Sequence, residues 1–348
     1  MKKSLDSLQS LFLEGEKLYA KGQYEKAGEI YMSFTEIKAY APMAYYRLAA
    51  ISNISKDPVT AKNLYYKAFK LQPDICRNFL SESHPNKNYV YKGRKREETL
   101  DACPLCKEST GTPYWCYSVI ENGTDYVQAY NPVRLWMHCE DCHHLYAEEF
   151  PSQHTAASTS FQFAGEAMPT KPHLLHYYSG IVSNLVKFTE GEELLEIGIG
   201  GSEFALVAQE MGFNVFGLDV SEGNVCQALK LGINAKVQDI LKFETTDRYD
   251  VVIIGDVIEH VADPVETMEK ISNLLKEKGV LWISTPNFEA AFSRLAGHND
   301  PMRREAAHKN YFSRVSLISL LERFKLIPVD YKISGHYNGS MEIIAIKD

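Results

Sequence analysis

A carboxylate, a run of glycines and a second carboxylate form the pattern with the most chemical content in this chain. In LLEIGIGGSEFALVAQEMGFNVFGLDVS, residues 194–221, an apolar run reaches Glu196, and a turn holding Gly198, Gly200 and Gly201 opens into a helical pattern from Ser202. Glycines let the backbone take positive φ and approach a ligand closely, and the helix that follows offers free amides at its N-terminus. Nineteen residues past Gly200, Asp219 ends the next apolar run, where a carboxylate can take both hydroxyls of a ribose. This is the outline of a nucleoside pocket. A nicotinamide site is the obvious competitor, but its GxGxxG fingerprint fails, because the sixth position counted from Gly198 is Glu203.

The second constellation is sulfur. Cys103 and Cys106 in CPLC and Cys139 and Cys142 in CEDC supply four thiolates in two tight loops. Each CxxC loop aims two sulfurs at one point, and two such loops complete the tetrahedral cage that zinc prefers. The segment resembles a zinc ribbon. Four protein ligands leave no open position, so the expected metal is structural. The glycine that often follows each knuckle is replaced by Lys107 and His143, and His138, His143 and His144 crowd the second pair, where one could stand in for a cysteine. Redox chemistry is the weaker alternative, since one CxxC suffices for it. Cys116, between the pairs, is expected to be a buried apolar residue. Paired CxxC motifs among seven cysteines indicate a reducing compartment rather than a disulfide framework.

The elements that must position these groups follow from periodicity. Beyond Pro172 the apolar runs LLEIG, NVFGLD, VVIIGD and VLWIST alternate with amphipathic helical patterns, the order of a parallel sheet in an α/β domain. Before it, residues 11–74 repeat at a spacing of 34, Ala27 with Ala61 and Tyr31 with Tyr65, each copy reading as helix, turn, helix. Gly15, Leu18, Tyr19, Gly22, Tyr24 and Ala27 stand where the tetratricopeptide repeat has its small and aromatic residues, and the first copy resembles one. The second copy has Lys56 and Asp57 in place of the turn glycine. Two copies are fewer than a free-standing solenoid needs, which favours packing on the rest of the chain or in a homodimer over capture of a protein partner through the repeats. Residues 84–101, with KGRKR at 92–96, read as a solvated linker, and Phe150 to Pro172 as a second one. The expected domains are therefore residues 1–82, 101–150 and 165–348.

Taken in order, the motifs of the last domain resemble class I S-adenosylmethionine (SAM) dependent methyltransferases, especially ubiquinone-biosynthesis O-methyltransferases and sugar and natural-product methyltransferases. The resemblance spans about residues 190–348. It implies a Rossmann-like seven-stranded sheet of order 3-2-1-4-5-7-6. Glu196 would face the aminoacyl part of SAM, with Gly198, Gly200 and Gly201 in the turn and Ser202 at the last glycine position of the family's ExGxGxG, where it could cap the helix. Asp219 and Val220 would meet the ribose, and Asp239 and Ile240 the adenine. Asp256 is the acidic residue of the turn after VVIIG. HKNYFSRVSLISLLERF matches the family segment that opens the helix after the fifth strand. In DVIEHV, His260 is the first candidate for a general base with Glu259 beside it, a helix cap being the plainer alternative for both; His308 and Tyr311 come next. Asn287 to Lys309 is long enough for a lid or specificity loop.

Composition narrows the setting. The chain of 348 residues is 45% hydrophobic and 24% charged, with a net charge of −8, so it folds, and the missing surplus of Lys and Arg argues against a nucleic acid partner. No apolar run reaches membrane-spanning length and the N-terminus is too charged for a secretory signal, so no membrane partner and a cytoplasmic location are expected. The expected activity is methyl transfer to a small-molecule or glycan acceptor, on oxygen first and on carbon or nitrogen as alternatives. A protein methyltransferase and a SAM-binding scaffold without turnover are the competing readings.

Overall fold

The computed structural model describes residues 5–122, 130–151 and 167–348; most of the expected linker from Phe150 to Pro172 lies outside them. Four helices, α1 (Leu5–Ala20), α2 (Tyr24–Phe34), α3 (Ala41–Ile54) and α4 (Pro58–Leu71), form two antiparallel pairs. The repeated positions are packing positions: Ala27, Ala61, Tyr31 and Tyr65 are all buried. The turns repeat as well. Gly22 has φ 73° and Lys56, 34 residues on, has φ 63°, so the second copy makes the same left-handed turn without glycine.

The second helix pair packs on the cysteine module. That module contains β1 (Glu98–Thr99), β2 (Thr112–Ser118), β3 (Val133–Cys139), β4 (His144–Ala147) and β5 (Glu149–Phe150). Tyr46, Tyr65 and Phe69 of the helices share one core with Cys116, Val119 and Leu135, and the Cys116 N–H donates to Asn53 Oδ1 at 2.7 Å. The repeat face is thus used within the chain. In residues 84–101, expected as a solvated linker, KGRKR at 92–96 is exposed, but Tyr89 and Tyr91 are buried in this core and the main chain of Lys95 is held on both sides by the Asn131 side chain.

The C-terminal half runs α5 (Leu175–Leu185), β6 (Glu193–Ile197), α6 (Glu203–Glu210), β7 (Asn214–Asp219), α7 (Glu222–Lys230), β8 (Asn234–Val237), β9 (Tyr249–Gly255), α8 (Pro264–Leu274), β10 (Leu275–Pro286), α9 (Ala291–Ala296), β11 (Asn310–Tyr311), α10 (Arg314–Arg323), β12 (Leu326–Ile333) and β13 (Ser340–Lys347). Seven of its strands form one sheet in the order β8-β7-β6-β9-β10-β13-β12, which within this half is 3-2-1-4-5-7-6, with β13 antiparallel to both its neighbours. The apolar runs occupy the centre because they are covered on both faces, as parallel strands must be. Strand order reverses between β6 and β9, the place where open α/β sheets leave a crevice at the carboxyl ends of their strands.

One strand leaves this half to join the other. Asn310 and Tyr311 of β11 pair with Tyr146 and Leu145, completing a sheet of order β11-β4-β3-β2. The segment before it, expected as a lid, is gripped by the cysteine module. Arg303 is buried, stacks 3.7 Å above the Trp115 ring centroid, and donates to Tyr117 Oη and to the Ser293 carbonyl at 3.2 and 3.0 Å. Trp136 Nε1 donates to the Arg303 carbonyl at 3.0 Å. A segment so anchored is a brace, since opening it would expose a cation together with its aromatic partner.

Candidate functional site

The crevice between β6 and β9 opens into a cavity of about 630 Å³. Glu196 ends β6 with its carboxylate turned inward; it is buried, and Oε2 has no hydrogen-bond partner among the described residues. The turn after it is built as its glycines require. Gly198 has φ 80° and a Cβ there would lie 2.4 Å from Val257 Cγ2, while Gly200 has φ 47°. Ser202, at the position of the third glycine, also takes a left-handed φ of 70° and makes no side-chain cap, contrary to the capping role expected for it. Its hydroxyl is fully buried with no partner among the described residues. Ser202→Gly removes both the strained backbone and the orphaned hydroxyl, and is expected to stabilise the protein by about 1 kcal/mol, read as a higher urea midpoint. A midpoint unchanged or lowered contradicts this account of the turn.

Asp219 ties the turn together. Its Oδ2 accepts from Gly200 N–H and Asn224 Nδ2, each at 3.1 Å, and Oδ1 accepts from Ser221 N–H at 2.7 Å. Burial raises its carboxyl above the ordinary range despite these donors. Val220 beside it lines the cavity, as do Asp239 and Ile240; the Asp239 side chain accepts from Leu241 N–H at 3.0 Å. On the opposite wall Asp256 has φ 51°, a left-handed conformation that Asp adopts more readily than most non-glycine residues. Its Oδ1 accepts from Ser284 Oγ at 3.0 Å, and burial pushes its carboxyl up to about 6.

Glu259, His260 and His308 converge: one ligand atom from each lies within 4.8 Å of the others. His260 lines the cavity and its Nδ1 donates to the Ala307 carbonyl at 3.3 Å, which leaves Nε2 with a free lone pair. Burial holds it down to about 4, so it is neutral at physiological pH. His308 packs edge-on against it at 4.7 Å between centroids; burial, and then His260, hold it well below the usual histidine range. Glu259 accepts from Thr285 Oγ1 at 3.0 Å, and burial followed by the Asp256 charge raises its carboxyl. Neither Glu259 nor His260 caps α8; Asp263 does, accepting from Val265 and Glu266 N–H. Tyr311 is not brought to the site. It is buried in the second sheet, donates to Asp300 Oδ2 at 3.0 Å, and does not line the cavity.

Several other lining residues lie outside the motifs. Tyr177 and Tyr178 of α5, Trp282 of β10, and His336 and Tyr337 of the turn between β12 and β13 form an aromatic wall. Lys309 lines it too, pushed down to about 8 by burial and the nearby Arg134. The YY pair in the helix before the glycine turn was the available signal.

The four cysteines form a separate cluster. Sγ of Cys103 lies 3.6 Å from that of Cys142, as does Cys106 from Cys139, and all four lie within 4.8 Å of one another. A tetrahedron of sulfurs at about 2.3 Å from a zinc ion has edges of about 3.8 Å. Lys107 and His143 take φ of 63° and 54°, the left-handed turn that glycine usually supplies after each knuckle. His144 is not among the converging ligands; its Nε2 pairs with Asn310 Oδ1 at 3.0 Å.

Residues 172–328 match the family model described as a methyltransferase domain. Among curated proteins, the chain is 36% identical over 106 residues to the ubiquinone biosynthesis O-methyltransferase of Caulobacter vibrioides, covering 28% of this chain and 42% of that one. It is likewise 36% identical over 101 residues to that of Rickettsia bellii, covering 27% and 42%. The chain thus spans about two fifths of the length of these relatives. Among solved structures it is similar to the N-methyltransferase NodS of Bradyrhizobium japonicum in complex with S-adenosyl-L-homocysteine, with TM-score 0.42, 14% identity and coverage of 54% of this chain and 91% of that one.

Proposed function

We propose that this chain is a SAM-dependent methyltransferase that methylates a hydroxyl of a small polar metabolite or glycan unit. One observation carries the reading: a sheet crevice lined by Glu196, Asp219, Asp239 and Asp256, with Glu196 Oε2 unpartnered among the described residues and the carboxyls of Glu196, Asp219 and Asp256 raised by burial. SAM is a cation of matching shape; when bound it supplies an electrophilic methyl group. Glu196 would hold its amino group, the Gly198–Gly201 turn its carboxylate, Asp219 and Val220 the ribose, Asp239 and Ile240 the adenine, and Asp256 would face the sulfonium. Incubating cell extract with the enzyme and isotope-labelled SAM, and searching for labelled products by mass spectrometry, tests the activity; transfer to protein alone would favour the protein-methyltransferase alternative, and no transfer at all the scaffold.

In this reading the cofactor's affinity depends on pH through Asp256. A cation favours the ionised carboxylate, so affinity should rise as pH increases through about 6 and level off above it. Asp256→Asn should flatten that limb; an unchanged limb in the variant contradicts the assignment.

For turnover, this reading gives His260 Nε2 the acceptor's proton, since His260 lines the cavity with Nδ1 engaged on the Ala307 carbonyl. His260→Ala is expected to lower kcat by about 100-fold or more with SAM affinity retained. A second reading is favoured by the convergence of Glu259 with two neutral imidazoles. A carboxyl raised by burial beside two imidazoles held neutral is the apo state of a divalent-cation site as much as of an acid–base pair. Under that reading kcat, lost on chelation together with the cysteine-bound zinc, returns only when Mg²⁺ or Mn²⁺ is added beside one equivalent of zinc; under the first, one equivalent of zinc alone restores it. Equal kcat in wild type and His260→Ala removes His260 from both.

The cysteine cluster we assign to structural zinc, on its sulfur spacing and on the two left-handed knuckle residues.

A further inference from the structure

Lys309 lines the cavity beside His260 and Ala307, yet the cofactor reading gives it nothing to do. Its main chain is fixed from both sides: its N–H donates to the Glu259 carbonyl and its carbonyl accepts from Ala147 N–H, each at 2.8 Å. The side chain is thereby delivered to the wall between the sheet crevice and the cysteine module. There the ammonium lies 5.1 Å from the centroid of the Phe150 ring and, among the described residues, forms no salt bridge within 4.0 Å.

Behind it stands a second cation in the same condition. Arg134 is 2% exposed, and its guanidinium donates to the carbonyls of Glu149 and Ala306 at 2.6 and 2.8 Å, with no carboxylate among its partners in the described residues. The charged groups that act on Lys309 are Arg134, Glu98 and Asp239, and Asp239 belongs to the nucleoside end of the cavity. A half-buried lysine on the cavity wall and a buried arginine near it, neither in an ion pair among the described residues, repel each other, and a bound anion offsets that cost. Lysine is the residue that meets a carboxylate or phosphate as a point charge, and the flat Phe150 ring beside it screens the contact from water.

We propose that Lys309, backed by the buried Arg134, binds an anionic group of the methyl acceptor, so that the substrate is an acidic or phosphorylated metabolite whose carboxylate or phosphate docks on the wall beneath the cysteine module. The proposal rests on the methyltransferase reading of the cavity. Lys309 is then a specificity-determining residue, and the acceptor is oriented from two sides, by this charge and by the His260 face.

Binding of simple anions to the full-length, metal-replete protein saturated with S-adenosylhomocysteine tests it. Inorganic phosphate is followed by ³¹P line broadening and acetate by ligand NMR, at constant ionic strength, for wild type, Lys309→Arg and Lys309→Met. Saturable binding of at least one anion is expected in wild type and Lys309→Arg, weakened about tenfold or more in Lys309→Met; the tighter of the two tells phosphate from carboxylate. Equal affinity in wild type and Lys309→Met, or no saturable binding in wild type, overturns the proposal. S-adenosylhomocysteine titrations on the same samples separate the two levels. Failure to bind it brings down the methyltransferase reading, while the phosphate and acetate titrations of the cofactor-free protein still decide whether Lys309 is an anion site.

Discussion

Asp219→Ala should weaken SAM and S-adenosylhomocysteine binding by about 100-fold or more, the loss of two charge-assisted hydrogen bonds to a ribose. The effect has two sources that reinforce each other. The carboxylate supplies the acceptor for the sugar, and its Oδ2 also holds the Gly200 N–H at 3.1 Å, so the variant loses a ligand contact and the conformation of the turn together. Asp219→Asn separates them. An amide oxygen can still accept from Gly200 but carries no charge for the ribose, so this variant should fall between wild type and alanine. Calorimetric titration of the three proteins is the measurement; alanine and wild type of equal affinity would mean that the ligand does not lie where the fold would put a ribose.

Removal of the cysteine-bound metal, by chelation or by Cys139→Ser, is the second large effect. Structural zinc contributes apparent folding free energies of about 10 kcal/mol or more in small domains. Here the consequence should spread beyond the cluster. Cys103, Cys139 and Leu105 lie in one core with Leu320, Leu321 and Phe312 of the C-terminal half, Arg323 donates to the Leu105 carbonyl at 2.6 Å, and β11 pairs with β4. His308 and Lys309 immediately precede that strand. Loss of the metal should therefore lower the thermal midpoint of the whole chain and reduce turnover more than cofactor affinity, because Glu196 and Asp219 stand on β6 and β7, which pair with no strand of the second sheet. One equivalent of zinc by elemental analysis, with both readouts falling on its removal, is the expected result. A metal-free protein of unchanged midpoint and activity contradicts it.

The cofactor side of the site was legible because its residues are close in sequence. Glu196, the glycine turn and Asp219 fall within one strand, turn, helix, strand unit; the alternation of apolar runs announced a parallel sheet, and the resemblance to the methyltransferases implied its order. The cysteine cluster was legible for the same reason, two residues from each of two tight loops. The acceptor side was not. Tyr177, His336, Tyr337 and Lys309 come from four places in the chain and meet only through tertiary packing. Tyr311 looked like a pocket residue because the segment it shares with His308 resembles one that borders the substrate pocket in the family, but strand alternation and pairing with β4 turn it into the core. Residues 84–101 read as solvated on their charge, which holds for the exposed run 92–96, while Tyr89 and Tyr91 before it are buried against the helices. Ser202 shows the limit of a motif read by residue type: the position needs a left-handed backbone, and serine adopts it without capping.

The central claim is that the crevice between β6 and β9 is a SAM site. Isothermal titration of the intact, zinc-loaded protein with S-adenosylhomocysteine tests it most directly. Saturable binding with one ligand per chain, lost in Asp219→Ala, is the predicted result. No heat and no saturation with either S-adenosylhomocysteine or SAM would contradict it.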